Sequence, residues 1–172
     1  MTIDLLVITA SNGENLRLAE RFAASGRSHG LAAEVLDLTP LPLPLYTPRV
    51  HAEAGIPEAV AILSRQLQAS PRWVICAPEY NGSIPPVLTS AIAWLSVQGD
   101  DFRLLFNGRP IVIASHSGGG GHTMLAALRL QLAHLGAHVI GRQLVSSTAR
   151  PARDDSIDAL VGLLRQLVYQ SP

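Results

Sequence analysis

The stretch WVICAPEYNGSIPP (residues 73–86) passes from an apolar run into a polar, turn-forming loop and then into a proline that suits the start of a helix. Its first residues are apolar at every position, as expected for a strand buried on both faces of a sheet. A second stretch of the same kind, IVIASHSGGGGH, occupies residues 111–122. Ligands of α/β proteins bind beyond the carboxyl ends of the strands. The two loops therefore predict one shared site.

Apolar runs alternate with helical patterns along the whole chain. We predict strands at residues 3–9, 33–38, 72–77, 110–115 and 138–145, and helices at residues 15–29, 56–69, 87–97, 122–135 and 154–167, the last capped by Asp154 or Asp155. Near-continuous apolar strands joined by helices predict a parallel sheet with helices on both faces. The spacing fits an α/β, flavodoxin-like three-layer sandwich, with a five-stranded parallel sheet in the order 2-1-3-4-5.

Residues 40–55 carry four prolines and no clear helical period. Prolines remove backbone donors and favour extended conformations, so we expect this segment to cross the surface as a loop. It is long for a connection without secondary structure, which favours a role as a wall of the site or as a subunit contact.

The composition restricts the classes of function. A length of 172 residues suits one domain, and the formal net charge of zero gives no basic surface for nucleic acid or for an anionic membrane. Cys76 is the single cysteine, so an intrachain disulfide is excluded. The apolar run at residues 3–10 is too short to span a bilayer. We therefore expect a cytoplasmic single domain, residues 1–172. Its neutral net charge gives little repulsion between copies, so self-association is compatible with the composition.

The first strand leads into the loop SNGEN (residues 11–15) and then into a helix. Ser11, Asn12 and Asn15 offer polar side chains, and Gly13 permits close approach of the backbone. A helix N-terminus behind such a loop is suited to binding phosphate. In the simpler alternative, Ser11 or Asn12 only caps the helix. Neither a Gly-x-Gly-x-x-Gly fingerprint nor a phosphate-loop lysine is present.

The other two loops are suited to a flat ligand. Asn81-Gly82 is a strong turn signal, and Tyr80 beside it can lie along a planar ring. Four consecutive glycines, residues 118–121, precede a helix, which suggests close approach of backbone amides to a ligand. His116 and His122 flank these glycines and are as readily loop and cap residues as substrate contacts.

Other kinds of site are not indicated by the sequence. No cluster of His, Cys, Asp and Glu has the spacing of metal ligands, so we assign no metal. The serines of the loops, Ser83, Ser115 and Ser117, lack a nucleophile-elbow pattern and a paired acid. Cys76 is most simply a small core residue at the end of a buried strand.

Three segments resemble the NADPH-dependent FMN reductase family, whose flavodoxin-like members include quinone, chromate and azo-dye reductases. They are PEYNGSIP (residues 78–85), AIAWLS (residues 91–96) and SHSGG (residues 115–119), and the resemblance covers about residues 3–145. It implies non-covalent FMN, NADPH or NADH as hydride donor, and a small acceptor such as a quinone, free flavin, an azo dye or chromate. It also implies a homodimer or homotetramer.

The same resemblance implies where FMN lies. The first loop would hold its phosphate and ribityl chain, and the other two loops would border its isoalloxazine ring. No catalytic side chain is implied, since flavin N5 carries the hydride. The cofactor-binding residues so implied are Ser11, Asn12, Gly13, Asn15, Leu16, Pro78, Glu79, Tyr80, Asn81, Gly82, Ser115, Ser117, Gly118 and Gly119.

The chain departs from the family pattern at two places. Members of the family usually carry Gly-Ser-x-Arg-x-x-Ser-x-Asn in the first loop. The first loop of this chain is shorter, lacks the arginine and includes Glu14. The segment TSAIAW (residues 89–94) lacks the lysine and aspartate that are usual there. Two alternatives stay open: a flavodoxin-like electron carrier, and a flavin-free member with a binding or regulatory role. The neutral charge disfavours the carrier, because such proteins are generally strongly acidic.

Overall fold

The computed structural model describes residues 3–169, in which six helices and six strands follow one another. The strands are β1 (Leu5–Thr9), β2 (Ala33–Asp37), β3 (Trp73–Cys76), β4 (Pro110–His116), β5 (His138–Val139) and β6 (Leu144–Ser146). The helices are α1 (Glu14–Ser28), α2 (Pro48–Ala54), α3 (Glu58–Gln68), α4 (Pro86–Ser96), α5 (His122–His134) and α6 (Asp154–Arg165).

The sheet is parallel and has the predicted order, β2-β1-β3-β4-β5. Its register places Val35, Val7, Val74 and Val112 side by side across four strands. The inner strands β1 and β3 are buried at every position, whereas β2 at the edge is only partly covered. This agrees with the near-continuous apolar character of the inner strands and the alternation in β2.

The predicted fifth strand, residues 138–145, is interrupted. β5 pairs with the start of β4 and β6 with its end, both in parallel, while residues 140–143 between them leave the ladder. The guanidinium of Arg129 on α5 donates to the carbonyl oxygens of Ile140 at 2.9 Å and Gly141 at 3.4 Å. These carbonyls are thus satisfied by a side chain, so the backbone can leave the sheet without a buried unpaired group.

The core lies in two layers, one on each face of the sheet, as predicted for a three-layer sandwich. α1 and α6 cover one face through residues such as Phe22 and Leu160, and α3, α4 and α5 cover the other through residues such as Leu63, Leu88 and Leu128. Because successive side chains of a strand point to opposite faces, each inner strand contributes to both layers. Helices therefore pack against both faces of the sheet, and its carboxyl edge is held between them.

The proline-rich segment contains a helix that its sequence does not predict. The prolines of residues 40–55 predict a loop, but α2 occupies Pro48–Ala54. Pro48 stands at its first turn, where a missing N–H costs nothing, and the Thr47 hydroxyl accepts a hydrogen bond from the Val50 amide at 3.0 Å. Ahead of this helix, the indole of Trp94 donates to the carbonyl of Pro44 at 2.8 Å, which attaches the segment to α4.

The start of α6 also differs from the prediction. Arg153 is the N-cap residue, and neither Asp154 nor Asp155 caps, since both lie in the first turn. The Asp154 carboxylate instead pairs with Arg21 of α1 at 2.6 Å. The apolar stripe of α6 packs as predicted, except that Leu167 lies beyond the helix end and is 37% exposed.

Candidate functional site

The three loops predicted to form a site begin at one level of the sheet. Thr9 at the end of β1 is in register with Cys76 of β3, and Cys76 is in register with Ala114 of β4. The loops that follow these strands therefore leave the same edge side by side. We call them the first loop (residues 10–15, of which the last two begin α1), the second loop (residues 77–85) and the glycine loop (residues 117–121).

The first loop leaves the beginning of α1 uncapped. Gly13 is the N-cap residue, and neither Ser11 nor Asn12 caps the helix with its side chain. The Ser11 hydroxyl accepts only a long hydrogen bond from the Gly13 amide, at 3.4 Å. Within residues 3–169, the amides of Asn12, Glu14 and Asn15 make no hydrogen bond. The capping alternative is thus not observed, and free N–H groups face outward at a helix N-terminus.

The charge of Glu14 is locally compensated. Its carboxylate forms an ion pair with the guanidinium of Arg17, one helical turn further along α1, and both side chains are exposed. An acid and a base three residues apart lie on the same face of a helix. The first turn of α1 thus carries a neutral pair, although the usual arginine of the family's first loop is missing.

Asn15 connects the first loop to the end of β4. Its side-chain amide donates to the carbonyl of His116 at 2.9 Å and accepts from the His116 amide at 2.8 Å. The side chain is buried. The nitrogen and the oxygen of this side chain are thus each bonded to the protein, and the backbone amide of Asn15 is available to a ligand.

The second loop contains the tight turn that Asn81-Gly82 predicts. Both residues have positive φ, 51° and 72°, and Tyr80 and Ser83 exchange backbone hydrogen bonds of 3.1 and 3.0 Å around them. Positive φ at both central positions is typical of a two-residue hairpin turn and favours Asn and Gly. The turn presents the Tyr80 ring, which is 50% exposed, while Pro78 before it is buried.

The glycine loop includes two positions that favour glycine through positive φ, Gly120 and Gly121, and two positions that are open. Gly121 has φ of 74°, and a Cβ there would lie 2.6 Å from the Cβ of Ser115. A Cβ added to Gly118 would meet no atom within 4 Å, and both Gly118 and Gly119 are exposed. Ser115 itself is fully buried, and its hydroxyl has no partner in the described part of the chain.

Glu79 joins the second loop to α5. Its Oε2 accepts a hydrogen bond from the Met124 amide at 3.0 Å, and its Oε1 lies near Gly119. Gly121, the N-cap residue of α5, has no side chain with which to cap the helix. The sequence placed Glu79 only among the residues implied to bind the cofactor, so this role of its side chain was missed. A glycine N-cap, which must be capped from elsewhere, was the available signal.

His116 is also fixed by the protein. Its Nδ1 lies 3.1 Å from the hydroxyl of Ser146, which accepts a hydrogen bond from the Ala152 amide at 3.0 Å. The hydroxyl proton is therefore free to be donated to Nδ1. Below the site, Cys76 is buried as predicted, and desolvation raises the pKa of its thiol far above the usual range.

The described residues contain neither a metal-binding cluster nor a membrane-spanning helix. Between residues 3 and 169, no group of three or more His, Cys, Asp and Glu side chains is placed to hold a metal ion. In the same part of the chain, each helix is too short or too polar to cross a membrane.

Known flavin and quinone reductases share sequence with this chain. The sequence profile of the NADPH-dependent FMN reductase family matches residues 3–151. An NAD(P)H-dependent FMN reductase of Pseudomonas aeruginosa is 32% identical over 82% of this chain and 75% of its own length. A quinone reductase of Escherichia coli strain K12 is 37% identical over 58% of this chain, and the match spans about half of that relative (53%).

The fold is shared with a solved flavoenzyme. FerB, an NAD(P)H:acceptor oxidoreductase from Paracoccus denitrificans, superposes with a TM-score of 0.76 at 20% identity, covering 96% of this chain and 99% of FerB. The family match extends over most of the chain and includes all three loops. This chain belongs to the NADPH-dependent FMN reductase family.

Proposed function

We propose that the protein is an FMN-dependent NAD(P)H oxidoreductase that reduces small electrophiles such as quinones, free flavin, azo dyes or chromate. The observation that carries this proposal is the junction of the three loops. Asn15 ties the first loop to β4, and Glu79 ties the second loop to α5. Family membership supports the same activity.

The first loop fits the phosphate end of FMN. The amides of Asn12, Glu14 and Asn15 are free within the described residues, and they stand at the positive end of the α1 dipole. The Glu14–Arg17 pair leaves no net negative charge in that first turn. Because the Asn15 side chain is used by His116, the phosphate contacts would come mainly from backbone amides and the Ser11 hydroxyl.

The other loops fit the isoalloxazine ring. Tyr80 is exposed beside a rigid turn, and Gly118 and Gly119 leave the surface open to a flat group. We assign the phosphate and ribityl end to the first loop and α1, and the ring to the second and glycine loops. The residues are Ser11, Asn12, Gly13, Asn15 and Leu16 for the first part, and Pro78, Glu79, Tyr80, Asn81, Gly82, Ser115, Ser117, Gly118 and Gly119 for the second.

FMN, when bound, would supply the hydride chemistry, so the chain has to bind, orient and stabilise charge rather than act as an acid or base. Backbone amides at the start of α5 are preorganised to stabilise negative charge that develops nearby. Ser115, whose buried hydroxyl lies against Gly121, would contribute to the ring site by positioning the glycine loop. Because Tyr80, Gly118 and Gly119 are exposed, the hydride donor and the acceptor would be able to use the same face in turn.

We further propose a cytoplasmic homodimer or homotetramer. An apolar groove of about 420 Å³ lies between α3 and the proline-rich segment, lined by Leu41, Pro42, Pro57 and Ile62 among others. Ile62 is 43% exposed there, which favours a contact between copies. The free, buried thiol of Cys76 is compatible with a reducing compartment.

The phosphate assignment can be tested by comparing FMN with riboflavin, which has the same ring but no phosphate. Quenching of flavin fluorescence would give both dissociation constants at low ionic strength. We expect FMN to bind at least about tenfold more tightly, because only FMN reaches the amides of the first loop. Equal affinities would show that the first loop does not hold the phosphate, and no binding of either would remove the flavin function.

A further inference from the structure

The glycine loop also borders a cleft whose opposite wall, which includes Ser147 and Arg150, lies outside the proposed flavin contacts. The cleft has a volume of about 460 Å³ and lies between this loop and the turn that follows β6. We call it the Arg150 cleft. It is lined by Gly118, Gly119, Gly120, His122, Val145, Ser147 and Arg150.

Both walls of the cleft are fixed to one another. The Ser117 amide donates to the carbonyl of Ser146 at 3.0 Å, which extends the pairing of β4 with β6 into the glycine loop. Ser147 and Arg150 then close a turn through mutual backbone hydrogen bonds of 3.0 and 3.2 Å, and the Ser147 hydroxyl accepts from the Arg150 amide at 3.1 Å. Arg150 is therefore held at the mouth of the cleft by its backbone.

The lining of the cleft is cationic. The guanidinium of Arg150 makes no ion pair or hydrogen bond with residues 3–169, unlike those of Arg21 and Arg153, which pair with aspartates. The His122 ring lies close over Gly120, since a Cβ on Gly120 would come 3.2 Å from it. No carboxylate of the described residues lines the cleft; the Glu79 carboxylate, which reaches Gly119, is bonded to the Met124 amide.

The wall opposite Arg150 adds donors and an apolar surface. Within the described residues, the amides of Gly118 and Gly119 make no hydrogen bond. Val145 supplies apolar contact. A guanidinium, free amides and an apolar wall in one cleft suit an oxyanion attached to an aromatic body.

We propose that the Arg150 cleft is a subsite for an oxyanion (sulfonate, carboxylate or phosphate) carried by a substrate that lies against the glycine loop. The proposal rests on the proposed reductase function, because the substrate is the molecule that exchanges a hydride at that loop. Two sources share this chemistry: an acidic substituent on an aromatic acceptor, and a phosphate of the nucleotide donor. In either case, Arg150 contributes to the choice of substrate by its charge.

The test compares substrates with and without an additional oxyanion. It uses the variant Arg150→Gln and the control Arg142→Gln. Arg142 is exposed, lies between β5 and β6, and does not line the cleft. With the FMN-loaded enzyme, KM would be measured for a naphthoquinone sulfonate against the unsubstituted naphthoquinone, and for NADPH against NADH. In each pair the ratio is the KM of the substrate with the additional oxyanion divided by the KM of its counterpart. We expect this ratio to rise about fivefold for one pair in Arg150→Gln and to stay unchanged in Arg142→Gln.

The two pairs identify the source of the oxyanion. A rise confined to the quinone pair assigns the subsite to the acceptor, and a rise confined to the nucleotide pair assigns it to the 2′-phosphate. The wild-type preference should also weaken as salt is raised, since the cleft is open to solvent. Unchanged ratios in Arg150→Gln for both pairs would overturn the proposal.

A second readout keeps this proposal separate from the reductase function. Stabilisation of the flavin-free protein by naphthalene sulfonate, measured as a Tm shift at constant ionic strength, does not depend on turnover. We expect the shift to be lost in Arg150→Gln and retained in Arg142→Gln. Equal shifts in wild type and Arg150→Gln would contradict the subsite, whereas absent turnover with neutral naphthoquinone in the wild type would contradict only the reductase function.

Discussion

The carboxylate of Glu79 accepts a hydrogen bond from the backbone amide of Met124, 45 residues further along the chain and at a distance of 3.0 Å. A residue of the second loop thereby caps α5, whose own N-cap residue is Gly121. The relationship fixes the distance between two of the loops to which we assign the flavin ring. It also explains how a run of four glycines can hold a defined shape.

Loss of this cap should destabilise the protein and loosen the glycine loop. We expect Glu79→Ala to lower the free energy of unfolding by about 1 kcal/mol, as for other helix caps, and Glu79→Gln to lose less because its amide oxygen still accepts. Urea denaturation measures both. Glu58→Ala, in the first turn of α3, is the matched control. The same loss in Glu58→Ala and Glu79→Ala would argue against a special role for Glu79.

Substitution by alanine should be tolerated at Gly118 and should destabilise the protein at Gly121. Gly121→Ala combines a positive φ with a collision against Ser115, so we expect a loss of at least about 2 kcal/mol in unfolding free energy. Gly118→Ala meets no atom within 4 Å and should change stability by less than about 0.5 kcal/mol. Thermal denaturation of the two variants and the wild type measures these differences in stability. Similar stabilities would mean that the loop has a different conformation in solution.

Local sequence patterns predict some of these features and not others. The strand order, the two-layer core and the Asn81-Gly82 turn follow from local patterns, because burial and turn geometry constrain residue type directly. The cap from Glu79 to Met124 and the bond from Asn15 to His116 join residues far apart in sequence. Such pairings depend on how the loops fold over the sheet edge, which no local period encodes.

In two of the three corrected elements, an effect other than local propensity decided the structure. Prolines in residues 40–55 favour a loop over a helix, whereas Pro48 of α2 stands at the first turn, the position where proline is tolerated. The interruption after β5 has no local signal, because Arg129, on another element, supplies donors to carbonyls that a strand would otherwise satisfy. In both places a tertiary or positional effect outweighed local propensity.

The charges of the first turn of α1 should tune phosphate binding in opposite directions. We expect Glu14→Gln to raise and Arg17→Gln to lower FMN affinity, each about threefold at low salt, because each breaks the neutral pair beside the free amides. Riboflavin affinity should not respond, since it carries no phosphate. Fluorescence titration of both flavins provides the comparison. An equal change in riboflavin affinity would mean that the substitutions act on ring binding or on folding and not on phosphate binding.

Stability at alkaline pH should report the burial of Cys76. Its pKa is raised in the folded protein, so above the pKa of the unfolded thiol, about 8.5, the unfolded chain loses a proton that the folded chain keeps. Folding stability therefore falls as pH rises. Between pH 8 and 10 we expect wild type to lose about 2 kcal/mol more than Cys76→Ala. Parallel pH profiles for the two proteins would mean that the thiol is accessible to solvent.

The flavin-reductase function is tested most directly by an anaerobic absorption spectrum of the purified protein after addition of FMN and removal of the excess. We expect retained flavin bands that bleach on addition of NADPH or NADH and return when a quinone is added. Failure to retain FMN, or retained bands that neither nucleotide bleaches, would contradict the proposed reductase function.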